Sequence, residues 1–171
     1  MTEPQITQTL KEMLTQREYK IESETEDFII AVKPDDQKVC AFLNIAVQFG
    51  VKSVGVHIGL LTKMGITHGI IVYTKMTPAV NKLLINTTEL KMTIEAFQDK
   101  DVRYNLTKHS LVPEHTRVPD AEAKILKKQY MGGKFPTIKI TDPIVKFFAF
   151  KRGSIIKVVR KSGFVAYRVV R

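Results

Sequence analysis

The chain has 171 residues, 44% of them hydrophobic and 26% charged, a balance that excludes a disordered polymer and suits a folded globular protein. No apolar run approaches the roughly 20 residues that a bilayer-spanning helix needs. The opening MTEPQITQTLKEM carries acids and glutamines where a secretory signal has an apolar core, so an intracellular protein without a membrane partner is expected. The net charge of +10 sits in one part, since residues 108–171 hold 15 Lys and Arg against 4 Asp and Glu while residues 1–107 hold 12 against 13. Clustered cations gain energy only from concentrated opposite charge, which points to a polyanion or an acidic protein surface as partner.

In chain order, Ile6, Leu10, Met13 and Leu14 recur at helical spacing and predict an amphipathic helix from Ile6 to Tyr19. Two short strands follow, Asp27 to Val32 and Lys38 to Leu43, joined by the turn residues Pro34-Asp35-Asp36. Between Val51 and Met64 the apolar spacing fits a helix that Gly55 and Gly59 weaken, with Gly65 to end it. Gly69 to Tyr73 reads as a buried strand. Thr77 offers an N-cap and Pro78 a first helical position for a helix running through Leu84. Lys91 to Phe97 and Val102 to Leu106 read as two further strands, so residues 1–107 are expected to form an α/β domain with a mixed sheet.

A boundary is expected near residues 107–110, where the charge balance changes. Beyond it, Val118 to Tyr130 reads as a basic amphipathic helix stopped at Gly132-Gly133, and Phe135 to Ile140 as a short strand. Asp142-Pro143 should cap and begin a helix to about Phe150, with a stop at Gly153. Ser154 to Arg160 and Val165 to Val170 then form a hairpin around Gly163, which makes residues 108–171 a small α+β domain.

The chemistry-bearing motifs are few. Pro34-Asp35-Asp36-Gln37-Lys38 imitates the acids and lysine of metal-dependent nucleases, but those enzymes bring the two halves together from separated stretches, whereas here both lie within one turn. His57, His68, His109 and His115 lack metal-ligand spacing, Cys40 is alone in an apolar run, and neither a phosphate loop nor an acyl-transfer serine motif is present. No cofactor, metal or small-molecule substrate is therefore expected. Lys124, Lys127 and Lys128, and Lys157, Arg160 and Lys161, offer basic clusters that read either as phosphate grips or as solvated faces.

The strings LVPEHT from Leu111, FPTIKI, TDPIVKFFAFKRG from Thr141 to Gly153, IIKVVR and AYRVV closely resemble the C-terminal assembly domain of the fifth-largest subunit shared by the eukaryotic nuclear RNA polymerases. A small archaeal polymerase subunit resembles that domain alone. Upstream, Gly50 to Pro78 resembles the helix, strand and Thr-Pro loop of the jaw domain that precedes it in the eukaryotic subunit.

The resemblance implies a non-catalytic polymerase subunit. Its assembly domain would dock on the largest subunit through Pro113, His115, Asp142, Pro143, Phe147, Lys151, Arg152 and Gly153. Its jaw would face downstream duplex DNA at Lys75, Thr77, Pro78 and Lys82. The segment from Glu18 to Phe28 and the loop from Lys161 to Gly163 are shorter than in cellular jaws and assembly domains, which favours a large DNA virus, and hence a viral factory or virion, over a nucleus. The rival reading is a free-standing nucleic-acid-processing protein of nuclease-like fold using Asp35 and Asp36.

Overall fold

The computed structural model describes residues 4–86, 91–130 and 135–171, which form two compact units, residues 1–105 and residues 106–171. Both are mixed α/β with mixed sheets. The expected helix stop at Gly132-Gly133 lies outside the described residues.

The first unit opens with α1 (Pro4–Gln16), whose Ile6, Leu10, Met13 and Leu14 are buried along one face. The helix ends where Glu18 turns to φ +66° and the Tyr19 amide donates back to Leu14 O at 2.9 Å. Strand β1 (Lys20–Glu24), which the sequence reading missed, pairs antiparallel with β2 (Phe28–Val32). All five of its residues are exposed, and its charged KIESE sequence blunts a sheet edge.

Strand β3 (Lys38–Phe42) pairs with β2 through the expected hairpin. Asp35 and Asp36 are occupied in making that turn. Asp35 Oδ1 accepts from the Gln37 amide at 3.3 Å, Asp36 adopts φ +61°, and the Lys33 amide donates to Gln37 O at 3.0 Å.

The centre of the sheet is β5 (His68–Met76), longer than the expected Gly69 to Tyr73. Its first half pairs in parallel with β3 and its second half with β4 (Ala46–Phe49), a further strand the sequence reading missed. Strand β6 (Thr93–Gln98) pairs with it along the opposite flank. Crossover helices α2 (Val51–Met64) and α3 (Pro78–Asn86) link these parallel strands and pack against each other. They cover the face that carries Cys40, Phe42, Phe49, Ile71 and Ile94. Helix α1 contacts β1 and, through Arg17 just beyond its end, Glu95 of β6.

Two glycines have specific work in this arrangement. Gly65 ends α2 in the left-handed region at φ +66°, as expected. A Cβ on Gly69 would stand 2.7 Å from Leu61 Cδ1, so the missing side chain lets α2 lie close on β5.

The strand expected from Val102 to Leu106 does not form. The chain instead makes single 3-10 turns at Asp99–Asp101 and Leu106–Lys108 with a bend between them. Asp99 accepts from the Lys100 amide at 2.7 Å and Asn105 donates to Glu12 at 2.7 Å, so polar side chains hold the backbone away from a ladder.

The second unit is a four-stranded sheet in the order β7 (Glu114–Arg117), β9 (Ile155–Val159), β10 (Val165–Val170), β8 (Thr137–Ile138), with β10 and β8 parallel. Strand β7 carries the EHT of the LVPEHT string and was not foreseen. Strand β8 is shorter than the expected Phe135 to Ile140, because Pro136 has no amide hydrogen and offers β10 only its carbonyl, which accepts from Val169 N at 2.9 Å.

Helix α4 (Asp120–Gln129) packs Ala123 and Leu126 on the face bearing Ile155, Tyr167 and Val169. The short α5 (Pro143–Phe147) packs Val145 on the opposite face, against Ile156, Val158 and Val170. It stops at Phe147 rather than near Phe150, since Ala149 turns to φ +52° and the Phe150 amide donates back to Val145 O at 3.0 Å.

The contact between Gly69 and Leu61 yields a test by urea denaturation. Gly69→Ala should destabilise the chain by about 1 kcal/mol or more through overpacking, and Leu61→Ala by about 2–5 kcal/mol through a cavity. The double variant should lose less than the sum, because the new methyl occupies vacated space.

Candidate interface surfaces

At one rim of the first unit the parallel strands β4 and β5 end together, Gln48 opposite Lys75 and Phe49 opposite Met76. Helix α2 leaves the first strand at Gly50 and α3 leaves the second at Thr77, whose amide donates to Phe49 O at 3.2 Å and whose carbonyl accepts from Val80 N at 3.0 Å. Two helix N-termini therefore emerge side by side, each with the partial positive charge of unpaired amides. Lys52, Lys75, Pro78 and Lys82 are exposed around them and Thr77 is half-buried.

Residues 37–88 contain five lysines and no Asp or Glu, a segregation that the near-neutral total of residues 1–107 conceals. Among the described residues no ion pair engages Lys52, Lys75 or Lys82. The structure thus gathers all four sequence-derived candidates, Lys75, Thr77, Pro78 and Lys82, at one cationic rim.

In the second unit Pro113, His115 and Asp142 line one open groove of about 600 Å³ on the α5 face of the sheet. The His115 ring bonds through Nδ1 to Pro113 O at 2.7 Å, which fixes the segment before β7. Asp142 Oδ1 accepts from the Ile144 amide at 2.9 Å, with Pro143 at the first helical position, which is the cap expected from the sequence. Lys151, Arg152 and Gly153 form an exposed turn after α5, with Gly153 at φ +86° and its amide donating to Val170 O at 2.9 Å.

Phe147 needs correction as a partner-facing residue, for it is only 1% exposed. The half-buried aromatic surface belongs instead to Phe148 and Phe150, stacked at 5.1 Å between centroids. Lys157, Arg160 and Lys161 do not act as one cluster. Lys157 alternates onto the α4 face, while Arg160 and Lys161 border the groove.

The sequence reading also missed a buried polar network at the end of α1. Arg17, 7% exposed, makes paired 2.8 Å hydrogen bonds to both Glu95 oxygens from the turn after the helix to β6. His68 Nε2 donates to Glu95 Oε1 at 2.6 Å, and the Tyr19 hydroxyl lies 3.4 Å from His68 Nδ1. Burial pushes the Glu95 carboxyl up, but the Arg17 charge and the hydrogen bonds from His68 and Arg17 outweigh it and hold the carboxyl at about 2, against an ordinary 4.5. Burial raises the Tyr19 hydroxyl. A carboxylate saturated by an arginine and a phenol kept neutral make a structural clamp, not a proton-transfer pair. Its sequence signal was an acid, Glu95, between the apolar Ile94 and Ala96 of a strand.

Residues 104–170 match the family model described as RNA polymerase Rpb5, C-terminal domain, which covers the LVPEHT and TDPIVKFFAFKRG strings that carried the resemblance. The chain is 39% identical over 92 residues to a protein of Invertebrate iridescent virus 6 whose name proposes it as DNA-directed RNA polymerase subunit 454R, a match covering 47% of this chain and 50% of that protein. It is 26% identical over 187 aligned positions to the DNA-directed RNA polymerases I, II, and III subunit rpabc1 of Dictyostelium discoideum, covering 96% of this chain and 95% of the relative. It is also 28% identical over 173 positions to the corresponding RPABC1 of Caenorhabditis briggsae, covering 95% and 82%. The match thus spans half the length of the viral relative and most of each cellular one. Among solved structures, the DNA-bound ATP-dependent Type ISP restriction-modification enzyme LlaBIII aligns over 84% of this chain and 11% of its own with a TM-score of 0.43 at 14% identity.

Two outcomes follow from the local chemistry. Glu95→Gln removes the carboxylate charge that faces the buried Arg17 and should cost about 3 kcal/mol at neutral pH. Because the folded carboxyl lies at about 2 and the ordinary value is 4.5, the stabilisation is complete above pH 4.5 and fades as pH falls toward 2. The gap in melting temperature between wild type and variant should therefore narrow over that window. Asp142→Ala should remove about 1 kcal/mol through loss of the α5 cap, and Asp142→Asn, which keeps an acceptor, should recover most of it in the same melting assay.

Proposed function

We propose that this chain, whose residues 104–170 belong with the RNA polymerase Rpb5 C-terminal domains, is a non-catalytic subunit of a multisubunit DNA-directed RNA polymerase. The observation that carries the reading is the agreement between that family match and the two cellular polymerase subunits, which align along nearly the whole chain. The rival nuclease reading loses its chemistry, because Asp35 and Asp36 are engaged in a hairpin turn.

Within this reading, residues 1–107 act as the jaw and residues 108–171 as the assembly domain that docks on the largest subunit. Docking draws on the groove that Pro113, His115 and Asp142 line, and on the exposed turn formed by Lys151, Arg152 and Gly153. Pro143 opens the helix between these surfaces, and Phe147 is buried at its end. The polymerase works in a viral factory or virion, in keeping with the iridescent-virus relative, or in a nucleus if the chain is cellular.

The jaw meets downstream duplex DNA at the cationic rim. Helix N-termini and unpaired lysines suit phosphate oxygens, and such contacts carry no base information, so the hold is sequence-independent and salt-sensitive.

Affinity purification of the tagged chain from its source should bring down the largest polymerase subunit, and its absence would sink the reading. Replacing both Lys75 and Lys82 by Gln should leave assembly intact. It should shorten the half-life of transcription complexes on templates with downstream duplex but not on templates lacking it. The log-log salt slope of DNA binding should fall by about 2, one for each phosphate no longer neutralised.

A further inference from the structure

We propose that the outer face of α2 docks an acidic amphipathic helix of a separate, reversibly bound protein, a role that goes beyond the subunit reading and does not depend on it. Lys52, Gly55, Val56, Gly59, Leu60 and Lys63 follow the spacing that places residues on one stripe of a helix, and all six are exposed. Val54 and Leu61 lie on the opposite side, in the core. The solvent face of a crossover helix is ordinarily polar. Here it is apolar between its end lysines, with Val56 61% and Leu60 42% exposed.

The two glycines add a second observation. Inside a helix only proline is less favourable than glycine, so a glycine there has to be compensated by something it permits. A Cβ on Gly55 or Gly59 would meet nothing within 4 Å, in contrast to Gly69, whose bare backbone Leu61 requires. The fold of this chain therefore gains nothing from either. A flat spot beside two aliphatic side chains instead suits a partner that must come close from outside, as a second helix does when small residues let two backbones approach.

Charge gives the chemistry of that helix. Lys52 and Lys63 stand at the two ends of the stripe, and neither enters an ion pair among the described residues. Residues 37–88 hold no Asp or Glu to answer them, so the complementary acids come from the partner. A second copy of α2 laid on the first would bring lysine to lysine, Lys52 meeting Lys63 when antiparallel and its own counterpart when parallel. Nucleic acid would gain nothing from Val56 and Leu60, since phosphates and sugars seek hydrogen-bond donors. A membrane surface favours bulky apolar side chains where this stripe has glycines. Six residues fall far short of the roughly 20–30 on each side of a stable interface, which makes the docking reversible.

The test places a photo-crosslinking amino acid at Thr62, exposed at the margin of the stripe, in the full chain produced in its source, and identifies the attached segment by mass spectrometry. The expected product is a segment of net negative charge, with apolar residues at helical spacing, from a protein that salt washing removes. A synthetic peptide of that segment should bind the purified full chain in calorimetry. Lys63→Glu, at the end of α2 away from the cationic rim, should weaken this binding at least fivefold. Gly55→Ala combined with Gly59→Ala should weaken it at least tenfold while raising the melting temperature of the chain, because alanine is the better helix former and its methyl meets open space. Glycines that served only the fold could not give that opposition.

A crosslink to nucleic acid, to lipid, to a second copy of the chain, to a permanently bound protein or to a segment without net negative charge would overturn the proposal. So would the absence of any crosslink, or peptide binding that either variant leaves unchanged. None of these outcomes bears on whether the chain is a polymerase subunit.

Discussion

The first unit depends on the pairing of one strand. Strand β5 accepts β3 and β4 in succession along one flank and β6 along the other, so every parallel ladder in that sheet includes it. Parallel neighbours require crossovers, and the two crossovers here are α2 and α3. The cationic rim is a by-product of this arrangement. Strands that run together end together, and the helices that follow them must begin at the same edge with their amides pointing outward.

What the sequence could and could not disclose follows from where each element's stability comes from. Helices α1 and α2 were legible because an apolar stripe has to recur at helical spacing to be buried, and the α5 cap because Asp142 and Pro143 act on their immediate neighbours. Strands β1, β4 and β7 were not legible. Lys20–Glu24 is exposed throughout and Glu114–Arg117 nearly so, so backbone pairing holds them and no alternation of side chains announces them. Val102 to Leu106 had a strand-like composition, yet the acids just upstream and Asn105 within it drew the backbone into turns.

The candidate surfaces divide the same way. Lys75, Thr77 and Pro78 are consecutive or nearly so, and their grouping could be read directly. The groove could not, because its lining comes from segments between Ser110 and Arg168 that meet only through the sheet. Nor could the buried Phe147 be told from the half-buried Phe148 and Phe150, since nothing in the sequence shows that α5 stops a turn early. Charge was misleading in a different way. The first unit sums to almost nothing, but its acids lie before residue 37 and after residue 88, leaving the α2 and α3 side to lysine alone.

Strand β10 of the second unit sets the timing of its maturation. It lies between β9 and β8, and among the described residues β8 has no other ladder partner. A ribosome delivers the chain in sequence order, so the first unit can close its sheet once β6 has emerged. The second unit must wait for residues 165–170. Until then Ile138, Val145, Ile156 and Val158, which pack into one cluster in the finished fold, lack the Val170 that completes it. The nascent polypeptide therefore passes through a stage in which a folded leading half precedes a sticky trailing half, and that interval is when chaperones would guard it.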